Sequence, residues 1–363
     1  MPRPLHIVFA SGGQVANVYP GLAVAAHVVE RLPDAKVTFL GTGKMLRHVV
    51  RAAGFRYVSF PSRGAPASTL NAVRFVTDNV AGYWASRWFM REQRVSLVVG
   101  LGGYASAAAV RAAVARDIPT ILLEQNALPS AATRWLAPSA TTICAGFAET
   151  SSHLPGHLPL VVTGNPARPA FEKLYLKKRS EVGGQRSETG LRLWTQPAAR
   201  PYRMTVIGGA GGARSLNESM PATLQRMGDA LAGWEIVHQS GEGQLQATTS
   251  RYRESGVGAV VVAYIDELAS VMFESDLVVC RAAGTTLAEL ALAGVPAVLV
   301  PHPEAADAYQ MANAEIFATA GAATIIDETD LPSTLDAVLA DTLRPLFLDV
   351  ARGNVMAAAM RRL

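Results

Sequence analysis

Short apolar runs rich in β-branched residues alternate along this chain with longer runs whose apolar residues recur at helical spacing. Each short run ends in a turn of glycine or other small residues before the next helical run begins. Ten segments have this strand character: residues 5–10, 37–43, 95–100, 119–123, 160–168, 204–207, 234–241, 259–263, 277–280 and 296–300. Buried strands that alternate with helices predict parallel sheets covered by helices on both faces.

The segment 277–290 shows this pattern most clearly. An apolar strand passes through the small-residue turn 282–284 into a helix with Leu287 and Leu290 on one face. The start of such a helix presents backbone N–H groups and a partial positive charge, which together favour an anion. Glu289 falls in the first turn of the predicted helix. It either forms a capping box with Thr286 or accepts hydrogen bonds from a ribose diol beside a bound diphosphate.

The pattern of strand, glycine turn and helix occurs at the start of both halves of the chain. It first appears around residues 5–17 and then again around residues 204–217. Between them, residues 171–203 are charged and rich in glycine and proline, which is typical of a flexible linker. We therefore predict a first domain over 1–168, a partly flexible linker over 169–203, and a second domain with a tail over 204–363, the two domains facing a cleft.

Composition supports two domains of this class and argues against several functions. The chain has 363 residues, of which 50% are hydrophobic but only 7% aromatic, and a formal net charge of +4. No basic cluster interleaved with aromatic residues indicates nucleic-acid binding. Gly12 and Gly13 lack the rest of a dinucleotide fingerprint, which argues against a nicotinamide cofactor. Cys144 and Cys280 lie in apolar contexts, and no secretory signal is recognisable, so we expect a cytoplasmic protein.

Residues 63–94 combine aromatic, aliphatic and arginine side chains. Trp84 and Trp88 occur together with Arg87 and Arg91. One interpretation is an ordinary helix packed on the sheet. The other is a patch that binds a membrane surface, where tryptophan and arginine suit the interface.

Several motifs in order along the chain resemble those of one known family. They are residues 18–23 (Val-Tyr-Pro-Gly-Leu-Ala), 102–104, 124–126, 164–168, 208–214, 238–241, 265–266 and 280–289, with Asp307, Gln310 and Asn313. This pattern resembles the MurG family, the UDP-N-acetylglucosamine:lipid I N-acetylglucosaminyltransferases. The resemblance covers about residues 5–326 and implies an α/β fold of the GT-B type, with two Rossmann-like doubly wound parallel-sheet domains.

The resemblance also implies a site for each substrate. The backbone of Ile265 would meet the uracil, Glu289 the ribose hydroxyls, and Gln310 the sugar. The helix start in the second domain would hold the diphosphate together with the ribose, through Gly284, Thr285, Thr286, Leu287 and Ala288, and Ala210 stands in the second glycine loop where the family has a serine. Asn126 and Arg168 would complete the donor site from the first domain, and the turn of Gln14, Val15 and Ala16 would face the acceptor and the diphosphate. No Asp-x-Asp motif ends a strand, so no metal or cofactor is expected, and backbone N–H groups would stabilise the departing UDP.

The chain departs from the family pattern where proton transfer is expected. The family's first loop reads Gly-Gly-x-Gly-Gly-His, and Asn17 occupies the position of its histidine. An amide cannot accept a proton near neutral pH. Glu124 or a water is the alternative base, although Glu124 is also readily interpreted as a structural hydrogen-bonding residue. Further departures are Val15, Ala16, Ala210, Glu304 and Tyr309.

The retained donor-site motifs, together with the departures in the first loop, are compatible with three functions. The first is inverting, metal-independent transfer of N-acetylglucosamine to lipid I, forming lipid II for peptidoglycan at the inner face of the cell membrane. The second is a catalytically impaired relative that binds the UDP-sugar or the cell-wall machinery without transfer. The third is a sugar-nucleotide epimerase, whose catalytic carboxylates are not evident here. We predict the first.

Overall fold

The chain folds into two compact units, which divide after Pro169. The computed structural model describes residues 4–12, 17–63, 69–181, 200–209, 211–303 and 308–363. Each unit is built on one sheet in which every strand pair is parallel. No helix in these ranges is long and apolar enough to cross a membrane.

The first unit contains seven strands and five α-helices in the described ranges. They are β1 (His6–Ala10), α1 (Val18–Arg31), β2 (Lys36–Gly41), α2 (Lys44–Ala52), β3 (Arg56–Ser59), α3 (Thr69–Glu92), β4 (Leu97–Gly100), α4 (Tyr104–Val114), β5 (Thr120–Glu124), α5 (Ala131–Leu136), β6 (Thr142–Ala145) and β7 (Leu160–Val162). The strand order is β3-β2-β1-β4-β5-β6-β7. It reverses between β1 and β4, which makes this a doubly wound sheet.

The second unit contains six strands and eight α-helices in the described ranges. They are α6 (Pro169–Glu181), β8 (Tyr202–Ile207), α7 (Arg214–Met227), β9 (Trp234–Gln239), α8 (Leu245–Glu254), β10 (Val260–Val262), α9 (Leu268–Glu274), β11 (Leu277–Cys280), α10 (Gly284–Ala293), β12 (Ala297–Leu299), α11 (Tyr309–Thr319), β13 (Ala323–Ile325), α12 (Leu335–Leu348) and α13 (Val350–Met360). The strand order is β10-β9-β8-β11-β12-β13, and it reverses between β8 and β11.

The central strands are buried on both faces, which explains their continuous apolar runs. All five residues of β1 and all four of β11 are buried. Along β1, Val8 and Ala10 pack into one apolar cluster, whereas Ile7 and Phe9 pack into another on the opposite face. The Rossmann-like fold predicted from the sequence is therefore confirmed for both halves.

The sequence pattern missed three strands, namely β3, β6 and β13. Each has only three or four residues, and β3 and β13 lie at the edges of their sheets. Runs this short carry little periodicity of their own, and their neighbours in the sheet decide their conformation.

The first part of the predicted linker is a helix. Phe171, on α6, is 1% exposed, and its ring lies 6.2 Å from that of Phe273 on α9. Lys178 Nζ donates to the carbonyl of Phe273 at 3.2 Å and lies over the same ring. Tertiary packing on the second unit thus stabilises a segment whose charged composition suggested flexibility. The later linker residues, 182–199, lie outside the described ranges.

Candidate active site

The reversal of strand order in each sheet places a crevice at the carboxyl ends of its central strands. In such folds ligands bind where neighbouring loops turn away to opposite faces of the sheet. In the second unit these loops follow β8 and β11; in the first unit they follow β1 and β4. The residues proposed from the sequence lie mostly in these loops or in the adjacent ones.

Two glycine turns pack backbone against backbone at the crevice of the second unit. Gly212, after β8, has φ +77°, and a Cβ added there would lie 2.2 Å from the carbonyl oxygen of Ser240. Gly241, after β9, has φ +85°, and its added Cβ would lie 2.5 Å from the nitrogen of Gly212. Only glycine permits both the approach and the conformation. Ala210, predicted to bind substrate, lies outside the described residues.

A buried hydrogen-bond network supports these turns. Asn217 Nδ2 donates to the Ser240 carbonyl and to Gln244 Oε1, both at 2.8 Å. Its Oδ1 lies 2.9 Å from His238 Nε2, and His238 Nδ1 lies 2.8 Å from the Tyr252 hydroxyl. Since Asn217 Oδ1 is an acceptor, Nε2 carries the proton of a neutral imidazole and Nδ1 accepts from the tyrosine. Burial lowers the pKa of His238 to about 4.

Helix α10 begins earlier than the sequence suggested. Its first residue is Gly284, and its N-cap residue, Ala283, provides no side-chain hydrogen bond. Glu289 therefore lies in the second turn and not in the first, and the predicted capping box with Thr286 is wrong. The helix starts here because β11 ends at Cys280 and the chain has only three residues in which to reverse direction.

The early start gives the residues of α10 distinct positions. Gly284, Thr285 and Thr286 form the first turn, directly above the end of β11, and Leu287 and Ala288 follow them. Glu289 is 1% exposed, whereas Thr285 is 9% exposed. The positive end of the helix thus faces the crevice with only small side chains around it.

The loop after β12 brings α11 to the same turn. Gln310 Oε1 accepts the N–H of His302 at 2.9 Å. Asn313 Nδ2 donates to the carbonyl of Ala282 at 3.1 Å. Gln310 is therefore fixed close to the start of α10.

One remaining predicted residue of the second unit lies in another loop. Ile265, after β10, is 7% exposed at the same edge of the sheet. Of the two loop departures, Tyr309 opens α11, and Glu304 lies outside the described residues.

In the first unit, Asn17 precedes α1 at the crevice between β1 and β4. As the N-cap residue of α1 it makes no side-chain capping hydrogen bond. A Cβ added to Gly102 would lie 3.9 Å from Asn17 Nδ2, and one added to Gly103 would lie 2.9 Å from the Gly12 carbonyl. The loops after β1 and β4 are thus close neighbours, and the Asn17 amide lies near Gly102. Gln14, Val15 and Ala16 lie outside the described residues.

Glu124 organises the loop after β5. Its Oε1 accepts from the backbone N–H and the side-chain Nδ2 of Asn126, at 3.1 and 3.2 Å. Its Oε2 accepts from the Ser130 N–H at 3.0 Å and the Thr133 hydroxyl at 2.6 Å. Burial raises the pKa of Glu124, and these four donors oppose the rise. A carboxylate with four donors is occupied, which favours the structural interpretation over the role of base.

Arg168 lies at the same edge as Asn17. Its guanidinium carbon lies 5.1 Å from the centre of the Tyr19 ring on α1. Nearby, Asn165 Nδ2 donates to the carbonyl of Gln125 at 2.8 Å. The exits of β5 and β7 are therefore joined by hydrogen bonding, and Arg168 is held against the helix that Asn17 precedes.

One residue in the second unit received no role from the sequence. Arg281, at the end of β11, contacts Ser215, Val300, Pro301 and Glu328. The sequence did offer one indication of a role for Arg281, since a charged residue rarely follows a buried strand directly.

Among the residues with described positions, no group of three or more His, Cys, Asp or Glu side chains is arranged to hold a metal ion.

Comparison with known proteins gives a consistent result for both units. The glycosyltransferase family 28 N-terminal domain matches residues 7–145, and the glycosyltransferase family 28 C-terminal domain matches residues 203–347. A relative in Geobacter sulfurreducens is 34% identical over 99% of this chain and 94% of its own length. It is named UDP-N-acetylglucosamine–N-acetylmuramyl-(pentapeptide) pyrophosphoryl-undecaprenol N-acetylglucosamine transferase.

Solved structures agree on the fold. MurG of Acinetobacter baumannii matches with a TM-score of 0.73 and 25% identity, covering 99% of this chain and 95% of that one. A UDP-N-acetylglucosamine 2-epimerase, described as putative, from Listeria monocytogenes matches with a TM-score of 0.66 and 13% identity, over 98% and 90% of the two chains. The latter likeness supports the fold alone.

The buried His238 predicts a pH-dependent stability of the second unit. Because its folded pKa is about 4 and the ordinary value is 6.5, the unfolded chain takes up the proton first as pH falls. The stabilising contribution is complete above pH 6.5 and is lost progressively towards pH 4. Between pH 7 and pH 5 we expect a loss of about 2 kcal/mol in the free energy of unfolding.

The measurement is hydrogen exchange of β9 peptides across a urea series at both pH values. His238→Gln should remove most of this pH dependence, although it lowers stability at pH 7. His153→Gln, at an exposed position in the first unit, is the control. An unchanged pH dependence in the His238 variant would exclude this histidine as its source.

Proposed function

We infer that this chain, which belongs to the MurG family of glycosyltransferase family 28, transfers N-acetylglucosamine from UDP-N-acetylglucosamine to lipid I. The fold is of the GT-B type. The observation that carries the proposal is that α11, whose first turn holds Gln310, is joined to the turn before α10, whose second turn holds Glu289, by the hydrogen bond from Asn313 to the carbonyl of Ala282. A nucleoside diphosphate sugar has a complementary sequence of groups, namely a ribose diol, a diphosphate and sugar hydroxyls.

The donor is proposed to bind mainly to the second unit. The diphosphate lies at the start of α10, over the backbone of Gly284 to Thr286, where the helix dipole stabilises its charge. Leu287 and Ala288 continue this turn. Glu289 accepts hydrogen bonds from the ribose, Gln310 binds the sugar, and the backbone of Ile265 meets the uracil.

The acceptor is proposed to bind to the first unit. Asn126 is oriented by Glu124, and Arg168 is oriented by Tyr19, so each presents a polar group held by its neighbours. Gln14, Val15 and Ala16 precede Asn17 in the loop that would face the acceptor. Val15 and Ala16 stand where the family has glycine.

Catalysis requires stabilisation of the leaving UDP and removal of a proton from the acceptor hydroxyl. The α10 N-terminus and backbone N–H groups suit the first task, since they face the charge that develops as the bond breaks. Neither of the two candidate bases among the described residues suits the second task. Asn17 has an amide, and Glu124 already accepts four hydrogen bonds. This observation supports the second candidate, a relative that binds UDP-sugar with little or no transfer.

We also propose that α3 binds the cytoplasmic face of the membrane that holds the lipid acceptor. Phe89 and Met90 bury one face of α3, so the helix does pack on the sheet. The opposite face carries exposed apolar residues at helical spacing: Val73, Val76, Val80, Trp84 and Trp88, each more than half exposed. Arg74 and Arg91 are exposed on the same helix. Apolar residues flanked by arginines suit an anionic membrane surface.

The transferase activity is tested by release of UDP. Incubation with UDP-N-acetylglucosamine and a short-chain lipid I analogue should give UDP above a heat-inactivated control. Asn17→His should raise turnover by about a hundredfold, the usual contribution of a positioned general base. UDP release that never exceeds the control, in either protein, would exclude the transferase and leave the binding protein.

The role of Glu289 is tested by the affinity for UDP. Glu289→Gln keeps the size of the side chain but replaces a carboxylate acceptor by an amide, and we expect the Kd for UDP to rise about tenfold. Glu315→Gln, an exposed position on α11, is the matched control. Isothermal titration calorimetry gives both values. Equal affinities in the two variants would argue against the ribose contact.

Membrane binding is tested by sedimentation with phosphatidylglycerol vesicles. Trp88→Ser removes a large apolar side chain from the α3 face and should lower partitioning about tenfold. Leu348→Ser, which is equally exposed at 67% but lies on α12, should leave partitioning unchanged. If both variants sediment like the parent protein, α3 is not the membrane contact.

A further inference from the structure

One largely buried guanidinium joins loops around the proposed donor site. Arg281 is 13% exposed and follows β11 directly. Its Nη1 donates to the carbonyls of Val300 and Pro301, at 2.9 and 3.1 Å, and lies 2.6 Å from Glu328 Oε2. Its Nη2 donates to Ser215 Oγ at 2.8 Å. The side chain thus contacts α7 and the residues after β12 and β13.

These contacts continue to Gln310 through one further hydrogen bond. Pro301 is followed by His302, whose N–H donates to Gln310 Oε1 at 2.9 Å. Helix α11 is also linked back to the residue after Arg281, because Asn313, one turn further along α11, donates to the carbonyl of Ala282. The orientation of Gln310 therefore depends on where Arg281 holds the loop after β12.

The geometry does not suit a guanidinium that serves only to neutralise Glu328. Such a pair is strongest when it is bidentate, with two parallel hydrogen bonds. Here one contact joins the two groups, and Arg281 Nε and Glu328 Oε1 have no hydrogen-bond partner among the described residues. The other donors of Arg281 are directed to loop carbonyls and to Ser215. Arg281 therefore holds the neighbouring loops in position, and its ion pair with Glu328 is weaker than a bidentate one would be.

We propose that Arg281 is a positioning residue that sets Gln310 against the turn 282–284 and thereby determines how much the sugar adds to donor affinity. The inference rests on the proposed function, since it assumes that Gln310 binds the sugar. The uracil, ribose and diphosphate contacts come from Ile265, Glu289 and the start of α10. Those contacts do not pass through the loop after β12.

Arg281→Lys separates these two sets of contacts. Lysine keeps the positive charge near Glu328, but it cannot reach Ser215 and two carbonyls in the planar arrangement of a guanidinium. The loop then loses its fixed position, and Gln310 with it. The affinity for UDP-N-acetylglucosamine should fall, whereas the affinity for UDP should change little.

The experiment measures Kd for UDP and for UDP-N-acetylglucosamine by calorimetry in the full chain. In Arg281→Lys the ratio of the two Kd values should shift about tenfold against the sugar nucleotide, as expected for one or two misplaced hydrogen bonds. Glu328→Gln keeps an acceptor for Arg281 and should give a smaller shift in the same direction. Arg226→Lys is the control, because Arg226 pairs with Asp336 away from these loops.

Several outcomes would overturn the inference, and they differ from failure of the proposed function. Equal weakening of UDP and the sugar nucleotide would show a general structural role for Arg281. An unchanged ratio in both Arg281→Lys and Glu328→Gln would show no positioning role, and the second variant decides if the first fails to fold. If the parent protein bound neither ligand, the proposed function itself would fail, together with the inference that depends on it.

Discussion

Close approach of backbone to backbone at the carboxyl edge of each sheet is the constraint on which the site depends. Gly212 fits against Ser240 in the second unit, and Gly103 fits against Gly12 in the first. Side chains at these positions would separate the loops by the width of a methyl group or more. In the second unit β8 and β11 are neighbours in the sheet, so α7 and α10, which follow them, both begin at its carboxyl edge. Helix N-termini at such an edge favour an anion before any charged side chain is added.

Much of the architecture could be predicted because buried parallel strands have a strong sequence signal. The strands that bracket each crevice, β1 and β4 or β8 and β11, are continuous apolar runs followed by glycine or small residues. The start of α10 was harder. Thr286 and Glu289 have the spacing of a capping box, yet the chain is already helical at Gly284 because of the abrupt turn after β11. Local side-chain preference was overridden by the geometry of the strand–helix connection.

Contacts between residues distant in sequence account for what could not be predicted. Helix α6 looked like a linker because its sequence is charged, and only the docking of Phe171 on Phe273 reveals why it is ordered. The role of Arg281 depends on Ser215, Val300 and Glu328, which lie 66, 19 and 47 residues away. No local sequence pattern predicts contacts between residues so far apart in the chain. The four donors around Glu124, by contrast, all lie within nine residues of it, so its structural interpretation was accessible from the sequence.

Donor binding and proton transfer make different demands, and this chain satisfies them unequally. In the proposed donor site the diphosphate meets backbone N–H groups at the start of α10, and this contact depends little on the neighbouring side chains. Proton transfer needs one group with an available lone pair and a suitable pKa. The amide of Asn17 lies near Gly102, and such a group can hydrogen-bond an acceptor hydroxyl but cannot accept its proton. Glu124 cannot take over without giving up hydrogen bonds that hold Asn126 and the start of α5. We therefore expect the amide at position 17 to slow the chemical step of the proposed transferase without altering the fold.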